Sequence, residues 1–182
     1  MKQVITLCIL CMFVAAMSVG GYAKEKDDWI KTFKVDPADF VPTGRNRYWI
    51  LEPGHRLVLK GMEGKTKVVV EITVLDETKT VDGVVTRIVE ERESKNGEIV
   101  EVSRNFFAVD RKTNDIYYFG EDVDIYEDGK VTSHEGAWQA GIDGAQYGLI
   151  MPAKPKVGFK HYQEIAPKTA MERGRVGLAC LQ

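Results

Sequence analysis

The sequence predicts a mainly β protein: a single antiparallel meander that forms a curled sheet or a partly closed barrel. Three observations favour it. Segments that alternate apolar and polar residues recur at a spacing of roughly 8–12 residues, with turn-forming residues between them. The dipeptides Asp82-Gly83, Asn96-Gly97 and Asp128-Gly129 are typical of tight β-hairpin turns. No helical periodicity longer than about two turns precedes residue 170 or so.

Composition limits the possible functions. A chain of 182 residues is long enough for one domain with a sizeable core. A hydrophobic content of 44% and three tryptophans indicate a globular fold rather than disorder. A net charge of −2 gives no argument for nucleic acid, which usually requires a basic face, so we expect no binding of nucleic acid.

Residues 1–23 have the features of a secretory signal peptide that is cleaved after Ala23. Lys2 provides a positive start, residues 4–19 are apolar, and small residues precede the cleavage point. The apolar run is shorter than the ~20 residues that span a bilayer, although an uncleaved anchor is the alternative. We therefore expect a secreted or periplasmic protein with no membrane span after cleavage. Cleavage leaves Cys180 as the single cysteine, so no internal disulfide can form.

The mature chain divides into an N-terminal arm, residues 24–45, and a single β-domain, residues 46–182. Asp36 is predicted to cap a helical turn that begins at Pro37. The aromatic residues of the arm predict that it packs on the domain; they are Trp29, Phe33 and Phe40.

The first strands are predicted on both sides of Pro53-Gly54, a turn in which proline presets one torsion angle and glycine accepts a positive one. The clearest strand is predicted over residues 66–75, where β-branched residues alternate with polar ones. Its apolar face consists of Val68, Val70, Ile72 and Val74. Further strands are predicted at residues 84–93, 98–109, 116–119, 124–126 and 130–132.

Residues 135–155 differ from the rest of a chain that is 29% charged, because they contain many glycines, two prolines and little charge. They are predicted to form a long packed loop that closes one end of the β-structure. Such a loop can line a pocket for a small ligand. The candidate ligand-binding residues are Trp138, Asp143, Gln146, Tyr147 and Met151. In the alternative, Trp138 and Ile150 plug the core, while Asp143 and Gln146 satisfy backbone groups of the loop.

Acidic residues are concentrated in the middle of the chain. Asp122, Asp124 and Asp128 could supply oxygen ligands to calcium. They lack the spacing of an EF-hand and its closing glutamate, so the alternative is a hairpin that charge keeps solvated.

Catalytic motifs are absent from the sequence. Ser133-His134-Glu135 contains a nucleophile, a base and an acid, but neighbouring residues in a strand point to opposite faces. No Gly-x-Ser-x-Gly, His-Glu-x-x-His or phosphate loop occurs. We therefore predict a non-enzymatic binding or structural module whose partner is an unknown small molecule or protein. A secreted hydrolase that uses acidic residues near 135–155 and a calcium-stabilised surface module are the alternatives.

Two motifs resemble a family of small secreted bacterial proteins of unknown function. The first is Asp36-Pro-Ala-Asp-Phe40 followed by Asn46-x-Tyr-Trp-x-Leu-x-Pro-Gly54. The second is Tyr118-Phe-Gly-Glu121 followed by Glu135-Gly-x-Trp-x-Ala-Gly-x-Asp-Gly-Ala-Gln-x-Gly-x-x-Met-Pro-Ala-x-Pro155. The resemblance covers residues 35–172. It implies a predominantly β secreted domain, with no activity and no catalytic residue to transfer.

The chain departs from the pattern of this family after Arg173, where relatives continue with further strands and this sequence ends at Gln182. A frameshift, an early stop or a naturally short member would each explain the difference. In the first two cases we expect a sheet that lacks its C-terminal strands and has an open edge, which favours aggregation or pairing with another chain.

Overall fold

A computed structural model describes residues 28–178 of the chain. The predictions for the signal peptide, residues 1–23, and for Cys180 lie outside the described residues. Strands make up 60% of the structure and helix 3%, and the main sheet is antiparallel and strongly curled into an open half-barrel. This confirms the predicted fold class. Within the described residues, no helix is long and apolar enough to cross a membrane.

The strands are, in chain order, β1 Phe40–Val41, β2 Gly44–Arg45, β3 Ile50–Leu51, β4 Arg56–Glu63, β5 Thr66–Val81, β6 Val84–Lys95, β7 Glu98–Asp110, β8 Ile116–Glu127, β9 Lys130–Ser133, β10 Trp138–Gln139, β11 Gln146–Met151, β12 Lys160–Tyr162, β13 Glu164–Ile165 and β14 Arg173–Arg175. Within residues 28–178 the main sheet has the order β13-β11-β8-β7-β6-β5-β4, with β1 on β7 and both β9 and β10 on β8. Strands β4 to β8 form the predicted meander.

The predicted turn residues connect this meander. Asp82, Asn96 and Asp128 each have a positive φ, and each is followed by a glycine that also has one. Two positive φ angles in succession match the right-handed twist of the flanking strands, which is why Asn-Gly and Asp-Gly favour such hairpins.

The N-terminal arm packs on the sheet as its aromatic residues predicted. The Asp36 carboxylate accepts a hydrogen bond from the Ala38 backbone N–H at 3.0 Å and caps a 3₁₀ helix at Pro37–Asp39. Phe40 then contacts Tyr117 and Phe119 edge-on, at centroid distances of 5.4 and 5.1 Å. Strand β1 adds a short antiparallel pairing with β7.

One strand prediction is wrong in detail. Strand β8 runs without interruption from Ile116 to Glu127, although the polar residues after Phe119 predicted a break. Pairing with β7 on one side overrides that local signal. Strands β3 and β4 flank Pro53-Gly54 as predicted, and β3 pairs with β2 while β4 pairs with β5.

Residues 135–155 are not one long loop, which corrects the sequence prediction. They contain β10 and β11, and both strands pair with β8. One of their glycines, Gly148, allows two backbones to approach closely rather than breaking the strand. At Gly148 in β11, a Cβ would lie 2.4 Å from the Gln163 carbonyl, so a side chain cannot fit there.

Strands β6, β7 and β8 present two different faces, because residues directly opposite each other on paired strands point to the same side. One face, called the carboxylate face, contains Glu91, Glu93, Glu101, Asn105 and Glu121, with Val89, Ser103 and Val123 among them. The other, called the ion-pair face, contains Glu90, Arg92, Arg104, Asp122 and Asp124.

Strand β4 is the long edge of the sheet, and all of its residues are exposed. Its apolar side chains Leu57, Val58, Leu59 and Met62 are between 43% and 66% exposed. The core therefore lies towards the other strands. Its fully buried members include Phe106, Phe119, Ile116 and Leu51.

Candidate functional site

A cleft of about 240 Å³ lies beside Trp138, between the paired strands β8 and β10 and the turn that follows β13. It has apolar walls and three carboxylate side chains. The residues that line it are Glu121, Asp122, Ala137, Trp138, Gln139, Ile142, Asp143, Ala145, Ala166, Pro167 and Thr169.

Trp138 is positioned by a close approach of β10 to β8. Gly120 has a φ of +133°, and a Cβ at this position would lie 2.3 Å from the Trp138 carbonyl oxygen. Only glycine permits both this conformation and this contact. Trp138 is thereby placed directly opposite Glu121, with its ring edge-on to Tyr118 at a centroid distance of 5.2 Å.

The Trp138 side chain is buried at 7% exposure, and its indole N–H makes no hydrogen bond with the described residues. The indole is directed at Glu164 and lowers the pKa of that carboxyl somewhat, without completing a hydrogen bond. A buried donor without a partner costs about 1–3 kcal/mol. This group is therefore unusual in a native structure.

Carboxyl groups from distant parts of the chain meet next to this tryptophan. Glu93 lies directly opposite Glu101 on the carboxylate face, and Glu91 is the next residue of that face along β6. Glu121 interacts electrostatically with Glu101, Glu91 and Glu172. Glu164 interacts electrostatically with Glu121 and Glu172, and it donates a hydrogen bond to Glu172.

Burial and mutual repulsion raise the pKa of several of these carboxyl groups, so they stay protonated at a higher pH than an ordinary carboxyl group does. Burial, followed by the charge of Glu101, raises the pKa of both Glu91 and Glu121 to about 7. Burial also raises the pKa of Glu101, with a further contribution from Glu93. Burial, the hydrogen bond that protonated Glu164 donates to Glu172, and the charge of Glu172 strongly raise the pKa of Glu164. Strongly raised carboxyl pKa values in a cleft are typical of functional sites.

Cations do little to neutralise this group. Lys95 lies 3.3 Å from a carboxylate oxygen of Glu93 and is shared with Glu63. Arg87 lies on the same face but is bound elsewhere, by the carbonyl oxygen of Asp76 at 2.8 Å and the hydroxyl of Thr43 at 2.7 Å. Among residues 28–178, the carboxyl groups of Glu91, Glu101 and Glu121 make no ion pair.

The structure brings together two of the five predicted ligand-binding residues. Trp138 and Asp143 both line the cleft. Gln146 is exposed at the start of β11. Tyr147 packs on Phe40 and Phe119, on the side of the sheet that the arm covers. Met151 ends β11 opposite Ile116.

Two of the three predicted calcium ligands are held by other partners. Lys79 Nζ lies 2.8 Å from Asp122 Oδ2, and Arg104 Nη1 lies 3.2 Å from Asp124 Oδ2. Asp128 occupies the turn between β8 and β9 with a φ of 50°. In the part of the chain that the structure describes, no group of three or more His, Cys, Asp or Glu side chains could hold a metal ion. Calcium binding stays a prediction.

Sequence reasoning missed the carboxyl group behind the cleft, namely Glu91, Glu101, Glu164 and Glu172. One signal was present. Glu91 and Glu93 follow Val89 at period two, so they extend the buried face of β6. No sequence pattern indicates that Glu164 returns to the same place, because β13 reaches it through pairing with β11.

A second cleft, of about 530 Å³, lies near the start of β8 and has the opposite charge. Lysine side chains and apolar residues line it, including Lys112, Lys154, Lys156, Leu149 and Phe159.

No protein-family model matches the chain, and neither a characterised protein nor a solved structure is similar to it at a significant level. The family resemblance of the two sequence motifs therefore stays a prediction.

Proposed function

We propose that the protein is a secreted, non-enzymatic binding module that holds a small ligand in the cleft beside Trp138. The observation that supports this function best is the buried indole N–H of Trp138, a residue that lines a cleft of about 240 Å³; this N–H has no hydrogen-bond partner among residues 28–178. An arrangement that leaves polar groups unsatisfied in the free protein is expected where binding supplies what is missing.

The lining of the cleft suits a ligand better than it suits a plug. Ligand sites combine apolar walls with a few polar groups that fix orientation. Here Ile142 and Pro167 contribute apolar surface, while Glu121 and Asp143 contribute polar atoms. The volume lies just below the roughly 300–1,000 Å³ of drug-sized sites, so the cleft fits a small molecule or the head of a larger one.

The test is native mass spectrometry of protein purified from its own host, with a variant that fills the cleft. Ala137 is exposed and lines the cleft, so Ala137→Phe adds bulk there without disturbing the core. The wild type and the matched control Ala137→Ser are expected to retain a bound small molecule that Ala137→Phe lacks. A ligand-free mass for the wild type would instead support the plug, in which Trp138 only seals the core.

A hydrolase is a second candidate, and one observation favours it. Glu121 lines the cleft, and its pKa of about 7 suits a group that exchanges protons near neutral pH. Asp143 lines the same cleft and has no ion-pair partner in the described residues. A protonated carboxyl and a carboxylate across a cleft are the groups that acid–base hydrolysis of glycosides requires.

The hydrolase is tested with a panel of nitrophenyl glycosides near pH 6, comparing the wild type with Glu121→Gln. Glu121→Gln keeps the shape of the side chain and removes its proton exchange. If the protein is a hydrolase, we expect turnover by the wild type and a loss of at least about a hundredfold in the variant. No turnover, or equal turnover by both proteins, would contradict this function.

Secretion is tested separately by sequencing the N-terminus of the protein recovered from the medium or the periplasm. Cleavage after Ala23 predicts a mature protein that begins at Lys24. A protein that begins at Met1 and sediments with membranes would indicate an uncleaved anchor.

A further inference from the structure

The cleft beside Trp138 is lined by carboxylates and by no cationic side chain. Glu121, Asp122 and Asp143 line it, and all of its other lining residues are uncharged. Lys79 neutralises Asp122 across the 2.8 Å ion pair. Glu121 and Asp143 have no such partner among residues 28–178, so the cleft itself is negative.

The carboxyl groups behind Glu121 increase this negative character. Glu93 and Glu101 face each other directly across β6 and β7, an arrangement of like charges that destabilises a sheet. Glu172 adds charge from the segment before β14 and is hydrogen-bonded to Glu164. A cluster of this kind in a fold is stable only if it stays partly protonated or receives a positive charge.

The indole N–H of Trp138 is a second polar group that lies beside these carboxyl groups. It is buried, directed at Glu164 and without a hydrogen-bond partner in the described residues. A protonated carboxyl is a weaker acceptor for this donor than an ionised one. An ionised Glu164 would accept the hydrogen bond, and a nearby cation is what favours ionisation. A bound cation would therefore serve both: it would compensate the carboxyl groups and favour the ionised Glu164 that accepts the indole hydrogen bond.

We propose that the ligand of this cleft is a small organic cation, with an ammonium or guanidinium group on a compact apolar body. The inference rests on the binding function proposed above. The cationic group lies against Glu121 and Asp143, and the apolar body lies against Ile142, Ala145 and Pro167.

Binding of a cation should release a proton from Glu121, since the positive charge favours the ionised carboxyl. The titratable groups that face Glu121 come from several elements. They are Glu91 on β6, Glu101 on β7, Tyr118 on β8, Glu164 on β13 and Glu172 before β14. None of them is a cation, so none competes with the ligand for the site. The affinity should therefore increase between pH 6 and pH 8.

The test compares three probes with the same apolar chain: hexylamine, hexanol and hexanoate, titrated calorimetrically at pH 6 and pH 8. We expect hexylamine to bind at pH 8 at least tenfold more tightly than either other probe. We also expect its binding between pH 6 and pH 8 to release a proton from the protein. Glu121→Gln is expected to weaken hexylamine binding at least tenfold. The matched control Glu90→Gln, on the ion-pair face, should leave it unchanged.

The positive group could belong to a free amine or to a lysine side chain of a peptide. A lysine blocked at both backbone ends distinguishes the two sources. Tighter binding of hexylamine than of blocked lysine indicates a free amine, and the reverse indicates a peptide.

Equal binding of hexanol or hexanoate, or an unchanged affinity in Glu121→Gln, would overturn the inference. The binding function would survive these results if a neutral or anionic molecule co-purifies with the wild type and is absent from Ala137→Phe. A cleft that is empty in the host-purified protein and binds none of the probes would overturn both.

Discussion

The two faces of β6–β8 contain the same kind of side chain in opposite surroundings. Glu90 and Glu91 are neighbours in β6, yet Glu90 lies within 3.5 Å of both Arg92 and Arg104. The charged groups that act on Glu91 are other carboxyl groups, Glu101 and Glu93, and together with burial they raise its pKa to about 7. The same contrast separates Asp122, which is paired with Lys79, from Glu121 in β8.

The difference shows that composition alone cannot locate a site in a β protein. Because side chains alternate along a strand, one acidic stretch supplies both a self-neutralised surface and an uncompensated one. On the ion-pair face the charges stabilise each other, as expected of a solvated exterior. On the carboxylate face the charges oppose folding at neutral pH, and such local cost is typical of functional sites.

The largest expected effect is on the pH dependence of stability. Folded Glu91 and Glu121 have pKa values of about 7, against an ordinary value of 4.5. Between these values the folded state binds more protons than the unfolded state, so the free energy of unfolding falls as pH rises. The stabilisation is fully present below pH 4.5 and is lost as pH rises through 7. Urea unfolding should show a decrease on the order of 4 kcal/mol from pH 5 to pH 8.

Equal urea midpoints at pH 5 and pH 8 would show that the carboxylate face does not differ electrostatically from the ion-pair face. Salt offers a check, because screening of like charges should recover part of the loss at pH 8.

A smaller effect is expected from Arg87, which could in principle neutralise the carboxylate face. Arg87 is 6% exposed, and its guanidinium donates hydrogen bonds to the carbonyls of Pro42 and Asp76 and to the hydroxyl of Thr43. Arg87→Met leaves these acceptors unpaired and should cost about 3 kcal/mol. The one carboxylate partner, Asp76, lies 3.7 Å away with its side chain 95% exposed, so it contributes little, and the loss should be nearly the same at pH 5 and pH 8. A loss confined to pH 8 would mean that Arg87 does neutralise the glutamates.

The smallest effects come from a pair of neighbouring substitutions with opposite signs. Glu91→Gln removes a buried charge at pH 8 and should stabilise the protein by about 2 kcal/mol, with little change at pH 5. Glu90→Gln removes partly exposed ion pairs and should destabilise it by about 0.5–1 kcal/mol. Urea midpoints of both variants at the two pH values provide the measurement. Effects of the same sign would remove the distinction between the faces.

Much of the fold could be predicted from local sequence. The alternation over residues 66–75 and the turns at Asn96-Gly97 and Asp128-Gly129 specify the hairpins, because they depend on neighbours in the chain. The uninterrupted β8 could not be predicted in this way. Its polar middle is a strand only because β7 pairs with it along one side.

The site was predicted in part for a similar reason. Trp138 and Asp143 stood out because they belong to an unusual stretch, and both line the cleft. Tyr147 belongs to the same stretch, but its ring does not line the cleft. It packs against Phe40 and Phe119 in the core. Glu164 could not be found, since its position depends on pairings between residues that are far apart in sequence.

The order of the strands also has a consequence for the rate at which the chain folds. Each pairing from β4 to β8 joins consecutive strands, so these hairpins can form in sequence with little loop entropy. The pairing of Phe40 with Asp110 and the bridge of Ile30 to His161 join residues that are far apart in the chain. Pulse labelling by hydrogen exchange should therefore protect the meander first and the N-terminal arm last, with the Trp138 cleft completed only when β13 returns to β11.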